Sequence, residues 1–279
     1  MVASSPPHSA DVGLRGVPVR KPDGAIVTDV VAVEAPLEIR VNGRPLVITM
    51  RTPGDDEELA AGFLFAEGVV THADQVVSIR TEPASAQPSP DELAEGKVGA
   101  GARVMVELRD SVDTTDIERA RRDFRATAAC GVCGKERLDD LEQTLPAITS
   151  IDVATDLLAR LPDQMRPRQP LFEATGGIHA AGLFTLTGEL LSVREDIGRH
   201  NAVDKVIGRA VLDGATSLDD RILVVSGRAG FELVQKALKA AIPVMVSVGA
   251  ASSLAVEMAS AAGMTLYSFV GSGRGNLHL

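Results

Sequence analysis

Apolar and polar positions alternate most regularly early in the chain. Leu37, Ile39 and Val41 are separated by polar residues, Asn42-Gly43 supplies a turn, and Leu46, Ile48 and Met50 resume the alternation. That pattern predicts a β-hairpin. Order is expected from about Ala25, where 26–34 is dense in Val and Ile. Thr52-Pro53 followed by Asp55, Asp56, Glu57 and Glu58 predicts an acidic helix start, with Leu59 and Phe63 on one face and Gly68 at the stop. Residues 103–108 read as a strand and 115–124 as a short charged helix.

The second half has a different texture. Residues 182–186 and 190–194 flank Thr187-Gly188-Glu189 as a second hairpin, and Val203, Ile207 and Val211 recur at helical spacing over 201–212. A strand (221–226), a helix (231–241), a strand (244–248), a helix (252–262) and a strand (265–270) follow. These strands are short continuous apolar runs, as when helices cover both faces of a sheet. The alternation predicts an α/β domain with largely parallel connections. The expected organisation is a Pro-, Ser- and Gly-rich tail over 1–24 and a smaller β-rich domain over 25–124 with a variable loop at 82–101. A mobile cysteine loop over 125–135 and an α/β domain over 136–279 complete it.

Composition narrows the function classes. The 279 residues carry a formal net charge of −10, with seven Phe, one Tyr and no Trp. A nucleic-acid binder needs basic surface and aromatic platforms, so nucleic acid is not an expected partner. No apolar run in 1–15 resembles a secretory signal, and no stretch approaches the length of a membrane span. Two cysteines in a chain this long are not a disulfide framework, and the expected compartment is the cytoplasm.

Each of the last three strands runs into a small-residue loop. These are Ser226-Gly227-Arg228-Ala229-Gly230, Ser247-Val248-Gly249-Ala250-Ala251-Ser252-Ser253, and Gly271-Ser272-Gly273-Arg274-Gly275-Asn276. In parallel α/β sheets the carboxyl ends of strands share one edge, where ligands bind. Small residues there let a phosphate reach backbone N–H groups, and Arg228 and Arg274 add charge. One such loop reflects only the needs of a tight turn; three in register point to a nucleotide-like anion.

Upstream, Gly176, Gly177 and His179 lie in Thr175-Gly176-Gly177-Ile178-His179-Ala180-Ala181-Gly182. Alone, that run reads as a loop opening a strand around a hydrogen-bonded core histidine. The next run places Asp196, Arg199, His200, Asn201, Asp204 and Lys205 within ten residues at a strand-to-helix junction. Capping needs fewer polar groups, so this segment reads as ligand-contacting.

Cys130 and Cys133 stand in Cys130-Gly131-Val132-Cys133, flanked by Arg125 and Lys135, which favour thiolate. A lone Cys-x-x-Cys does not close a four-ligand zinc site. A zinc deaminase would place His-x-Glu before Pro-Cys-x-x-Cys, whereas here the cysteines come first and His179 is followed by Ala-Ala. A thioredoxin-type motif belongs between a strand and a helix. A Gly-flanked, charge-flanked loop also fits poorly with buried inert cysteines. A mobile nucleophile that accepts sulfur as a persulfide and passes it on fits best, the second thiol helping release.

Cys130-Gly131-Val132-Cys133-Gly134-Lys135, Thr175-Gly176-Gly177-Ile178-His179-Ala180-Ala181, the run from Arg194 to Lys205 and Ser226-Gly227-Arg228 occur in this order. Together they resemble the formate dehydrogenase accessory sulfurtransferase family, from residue 26 onward outside the 82–101 loop. The resemblance implies a sulfur carrier that takes sulfur from a cysteine desulfurase. It would deliver that sulfur to the molybdenum bis(molybdopterin guanine dinucleotide) cofactor, bound as substrate, before insertion into formate dehydrogenase. It further implies a homodimer with a cytidine-deaminase-like C-terminal α/β domain lacking zinc. Cys130 matches the persulfide-bearing cysteine and Cys133 its partner. Phe269, Val270, Gly271, Ser272, Gly273 and Arg274 match the cofactor-binding segment, with Gly271 where relatives often carry Arg and Gly275 where an aromatic is usual. The run from Gly249 to Ser253 lacks the family's Pro. Two rival readings are a molybdenum-cofactor-binding chaperone without covalent sulfur transfer, and a thiol oxidoreductase.

Overall fold

Order begins earlier than the composition of the first residues implies. The computed structural model describes residues 13–83, 101–112 and 148–278. In it, Leu14–Arg20 (β1) pairs antiparallel with Ile26–Ala32 (β2). Residues 14–20, read as part of a tail, are therefore a strand. Pro18 is tolerated because a two-stranded ribbon consists only of edges.

The first hairpin forms as its alternation requires. Ala35–Val41 (β3) buries Ala35, Leu37, Ile39 and Val41 and turns back through Asn42 and Gly43, at φ 49° and 75°, into Arg44–Arg51 (β4). Val76–Pro83 (β5), which the sequence reading left without an element, and Ala102–Leu108 (β6) complete a four-stranded sheet ordered β4-β3-β6-β5. The acidic run starts the helix Asp56–Ala66 (α1) as expected, and Leu59, Ala60 and Leu64 bury themselves against this sheet. The helix expected over 115–124 and the bulk of the 82–101 loop lie outside the described residues.

Short helices Thr155–Leu158 (α2), Leu161–Met165 (α3) and Pro170–Thr175 (α4) lead into a six-stranded sheet. Its strands are His179–Thr185 (β7), Leu190–Asp196 (β8), Arg221–Val225 (β9), Val244–Ser247 (β10), Thr265–Gly271 (β11) and Arg274–His278 (β12). The order is β12-β11-β10-β9-β7-β8. Only β9, β10 and β11 are mutually parallel, so the expected largely parallel sheet is mixed. The reason is local: two of its connections are tight hairpins, and those join only antiparallel strands. Helices Arg199–Leu212 (α5), Phe231–Lys239 (α6) and Ser253–Ala262 (α7) pack on one face against Leu223, Val225, Met245 and Leu266. On the other face Leu158, Leu161 and Met165 cover Phe184, Ile222, Val224 and Val246. Burial from both sides explains the unbroken apolar runs. The α/β class read from the sequence holds.

The two sheets meet through α1 and α5. A Cβ built on Gly62 would lie 1.9 Å from Asp204 O, and one on Gly208 would lie 1.8 Å from Glu58 O, so the helices touch backbone to backbone. No helix among the described residues is long and apolar enough to cross a membrane.

Candidate functional site

The parallel run β9-β10-β11 puts three carboxyl ends on one sheet edge. Because β7 is antiparallel to β9, its first residue, His179, lies on that same edge, opposite Asp196 at the end of β8. Four separate sequence motifs and the Phe269–Arg274 segment therefore converge. The loops are stitched together there: Gly249 N–H donates to Gly227 O (2.8 Å), Ser252 N–H to Ala229 O (3.0 Å) and Phe269 N–H to Gly249 O (3.0 Å). A Cβ on Gly249 would meet Arg228 N at 2.8 Å, so only glycine permits this approach.

Several serines are spent on this stitching. Ser226 Oγ accepts from Ala180 N–H, and Ser247 Oγ donates to Gly227 O and Gly249 O. Ser252 caps α7 by accepting from Ala255 N–H. What the edge leaves exposed is Gly176, Gly177, Arg228, Ser252, Ser253, Gly271, Ser272, Gly273 and Arg274, with His179, Arg199 and His200 half-buried and Val270 buried. The helices α5, α6 and α7 all begin here, and the N-cap glycines of the first two, Gly198 and Gly230, make no side-chain cap. Helix starts of this kind present N–H groups and partial positive charge to an anion.

The segment 271–276, read as a third ligand loop, is a hairpin: Ser272 and Gly273, at φ 50° and 75°, turn β11 into β12. Just before it, a register shift between Ser268 and Gly271 lets Phe269 adopt φ 57° and stand 66% exposed beside the edge. Bulges re-aim side chains in this way.

Asp196 and Asn201, read as ligand-contacting, sit beneath the edge. Asp196 is fully buried and accepts from Thr52 N–H (3.1 Å), Gly198 N–H (2.8 Å) and Asn201 Nδ2 (3.0 Å). It pairs with Lys205 Nζ at 2.8 Å, and Asn201 Nδ2 also reaches Met50 O at 2.8 Å. Asp204 is likewise buried and paired with Lys236 at 2.7 Å. The density of polar groups in this run thus locks the turn between β4 and α1 onto β8 and α5. Buried charges require such partners, and a single sequence does not distinguish an internal lock from a ligand contact.

Electrostatically, the two histidines differ. Burial, then Arg199 and His200, hold the His179 ring below its ordinary value, only partly offset by Asp196. His200 Nε2 lies 2.8 Å from Glu232 Oε2 in the first turn of α6. Burial alone would raise the Glu232 carboxyl, but the hydrogen bond and charge of His200, with Lys236 and Arg199, hold it below its ordinary value. Glu232 is absent from the sequence reading because an acidic residue in a first helical turn is ordinary dipole chemistry.

A groove of about 850 Å³ lies at the other end of the sheet, lined by Arg168, Arg194, Arg209 and Arg221 among others. Its guanidiniums are largely spent: Arg194 binds Glu58 at 2.6 Å and Arg209 binds Asp213 at 2.8 Å. The edge therefore has the better claim to an anion. Cys130 and Cys133, with the 125–135 loop, lie outside the described residues. Among the described residues no group of three or more His, Cys, Asp or Glu is arranged to hold a metal ion.

The chain is similar to known proteins along most of its length. A family model described as the FdhD/NarQ family matches residues 32–278. The chain is 46% identical over 260 residues to a protein of Streptomyces avermitilis named sulfur carrier protein FdhD, covering 90% of this chain and 88% of that one. It is 47% identical over 250 residues to the protein of that name in Mycobacterium tuberculosis, covering 87% of each. A crystal structure of a candidate formate dehydrogenase accessory protein from Desulfotalea psychrophila superposes with a TM-score of 0.68 at 26% identity, covering 95% of both chains. With a match spanning both sheets and relatives nearly half identical along most of their length, the chain belongs to the FdhD/NarQ family.

Proposed function

We propose that this protein is a cytoplasmic, homodimeric sulfur carrier that serves formate dehydrogenase. In this reading the Cys130 thiolate attacks the outer sulfur of a persulfide on a cysteine desulfurase. A new S–S bond forms on Cys130, the donor's S–S bond breaks, and the donor cysteine leaves as a thiolate. The Cys133 thiolate then attacks Cys130 Sγ: a Cys130–Cys133 disulfide forms, the persulfide S–S bond breaks, and the outer sulfur leaves as sulfide for the molybdenum bis(molybdopterin guanine dinucleotide) substrate, which the carboxyl edge of the six-stranded sheet would hold.

The observation that carries the substrate assignment is the convergence of three helix starts, Arg228, Arg274 and an exposed Phe269 on one edge. Such an edge supplies what a guanosine diphosphate arm needs. N–H groups and guanidiniums meet its phosphates, and an aromatic face at a left-handed backbone position is available to stack on its base. Left-handed φ at a bulky residue costs about 1–3 kcal/mol and persists where function uses it. The relatives' name, sulfur carrier protein, supports the sulfur chemistry.

Three measurements test this reading. Mass spectrometry after incubation with a cysteine desulfurase and cysteine should find one added sulfur on Cys130. No added sulfur, together with a Cys130→Ala protein that fully supports formate dehydrogenase, overturns the carrier role. Calorimetric titration with GDP should show binding that Arg274→Ala weakens about tenfold, as expected for a lost charge-assisted hydrogen bond. Survival of activity with both cysteines replaced by Ser would favour a chaperone without covalent chemistry.

A further inference from the structure

Strand β8 is the outermost strand of the six-stranded sheet, and no described strand pairs with its far side. Edge strands are ordinarily blunted by charge or proline, but Leu190-Leu191-Ser192-Val193 carries neither. The direction of its backbone groups follows from its neighbour. Ala180, opposite Glu195, spends its N–H on Ser226 Oγ and its carbonyl on Ser226 N–H, both at 2.9 Å and both on the β9 side. Glu195 and, two residues back, Val193 therefore turn their N–H and C=O groups away from β7. Among the described residues their carbonyls are met by side chains, Val193 O by Arg194 Nη1 at 2.9 Å and Glu195 O by Lys205 Nζ at 3.3 Å.

Two cavities run along this open edge. The groove of about 850 Å³ and a second of about 320 Å³ share Arg168, Val193 and Arg194. Together they make one trench over residues 191–195, about 17 Å of extended chain. Leu183 and Leu218 line it, and Leu191 stands 45% exposed beside them. Its rim is basic, although the chain carries a net charge of −10. Arg168 is exposed and makes no ion pair among the described residues. Arg209 and Arg221 pair with the exposed carboxylates of Asp213 and Asp220, and such surface pairs are worth little. Arg194 is held firmly, by Glu58 at 2.6 Å. A free anion gains little from guanidiniums already paired in this way. A carboxylate carried in on a hydrogen-bonded strand displaces a surface partner more easily. A second copy of this chain fits worse, because it would set the same basic rim against itself.

We propose that the open edge of β8 is a docking site for an extended, acidic segment of a partner protein, added to the sheet as a seventh strand. Backbone bonds along Val193 supply the grip, apolar side chains at alternate positions lie over Leu191, and carboxylates meet Arg168 and Arg221. The trench opens at the end of the sheet away from the anion edge, so a partner protein and a small anionic substrate are held at the same time.

The test is fluorescence anisotropy with the full-length protein and labelled hexapeptides blocked at both ends. One peptide is Glu-Val-Glu-Val-Glu-Val, and another has Lys at every Glu. Two further forms of the acidic peptide carry N-methyl groups, on the Val amides in one and on the Glu amides in the other. Wild type should bind the acidic peptide at least about tenfold tighter than the lysine peptide, the worth of a charge-assisted hydrogen bond. Arg168→Glu, a change at an exposed position, should reverse that preference. One N-methylated form should lose binding and the other keep it, because alternate amides of an added strand face the sheet. Simple attraction between charges would not distinguish the two forms. Saturating GDP should leave peptide binding unchanged, which separates the trench from the anion edge whether or not that edge takes nucleotide. No binding of the acidic peptide to wild type at about 1 mM, the weak end of specific affinity, overturns the proposal. So does an Arg168→Glu protein that keeps the wild-type preference, or equal binding of the two N-methylated forms, or displacement of the peptide by GDP.

Discussion

Lys205 is 1% exposed, and its ammonium meets three acceptors: Asp196 at 2.8 Å, Thr52 O at 3.0 Å and Glu195 O at 3.3 Å. Three protons and three acceptors leave nothing unsatisfied, which is the condition for keeping a lysine in a protein interior. Replacing Lys205 by Met strands the Asp196 carboxylate with no cation. The expected cost is about 3–5 kcal/mol of unfolding free energy, measured by urea denaturation. Adding Asp196→Asn to Lys205→Met should recover part of that loss, since the stranded charge is gone. A single variant within about 1 kcal/mol of wild type would show that the pair does not hold the two sheets together. At this scale the sequence was informative about chemistry and ambiguous about use. Asp196 and Asn201 look identical to ligand residues until Thr52 and Met50, about 150 positions away, are seen to be their partners.

Among the elements, the α1–α5 crossing governs how the site is supported, because α5 carries Arg199 and His200 in its first turn. Gly62 and Gly208 allow that contact. A methyl group at Gly208 has no room, and its obstacle is the backbone carbonyl of Glu58, which does not rotate away. Gly208→Ala should therefore destabilise by about 3 kcal/mol or more, at the upper end of overpacking costs, despite the better helix propensity of alanine. It should also weaken GDP binding by displacing the start of α5. An unchanged urea midpoint would contradict the backbone contact. The regular elements were readable where period and burial agreed: β3 alternates because one face is buried, and β9 and β10 are continuous because both are. They were unreadable where burial was slight. Strands β5 and β12 are mostly exposed, so no apolar periodicity marks them, and the start of β12 reads as loop although Ser272-Gly273 is a turn signal.

For the molecule as a whole, the edge should make stability depend on pH. His179 is held below its ordinary 6.5, so the unfolded chain binds the extra proton first. Stability should fall as the pH drops from 6.5 toward the folded value and then level. Glu232 is held below its ordinary 4.5, and the stability it adds is lost as the pH falls below that value and through the folded one. Glu195 and Asp204, raised by burial, act in the opposite sense, so the His179 contribution is read as a difference between two proteins. Chemical denaturation at a series of pH values should show an acid loss below pH 6.5 that wild type carries and His179→Gln lacks. Curves for the two proteins that stay parallel between pH 6.5 and 4.5 would contradict the burial assigned to His179.

The sequence by itself determined the local elements that bury a face, the α/β class, and the set of motifs that mark the family, because period, turn chemistry and motif order are properties of neighbouring residues. Tertiary structure alone decided that β7 enters the edge antiparallel and so delivers His179 beside Gly227, and that Asp196 faces inward to Lys205. It alone decided that Glu232 meets His200 across two helices. Those outcomes depend on which strands pair and which charges lose water, and neither is encoded in the spacing of residues along one chain.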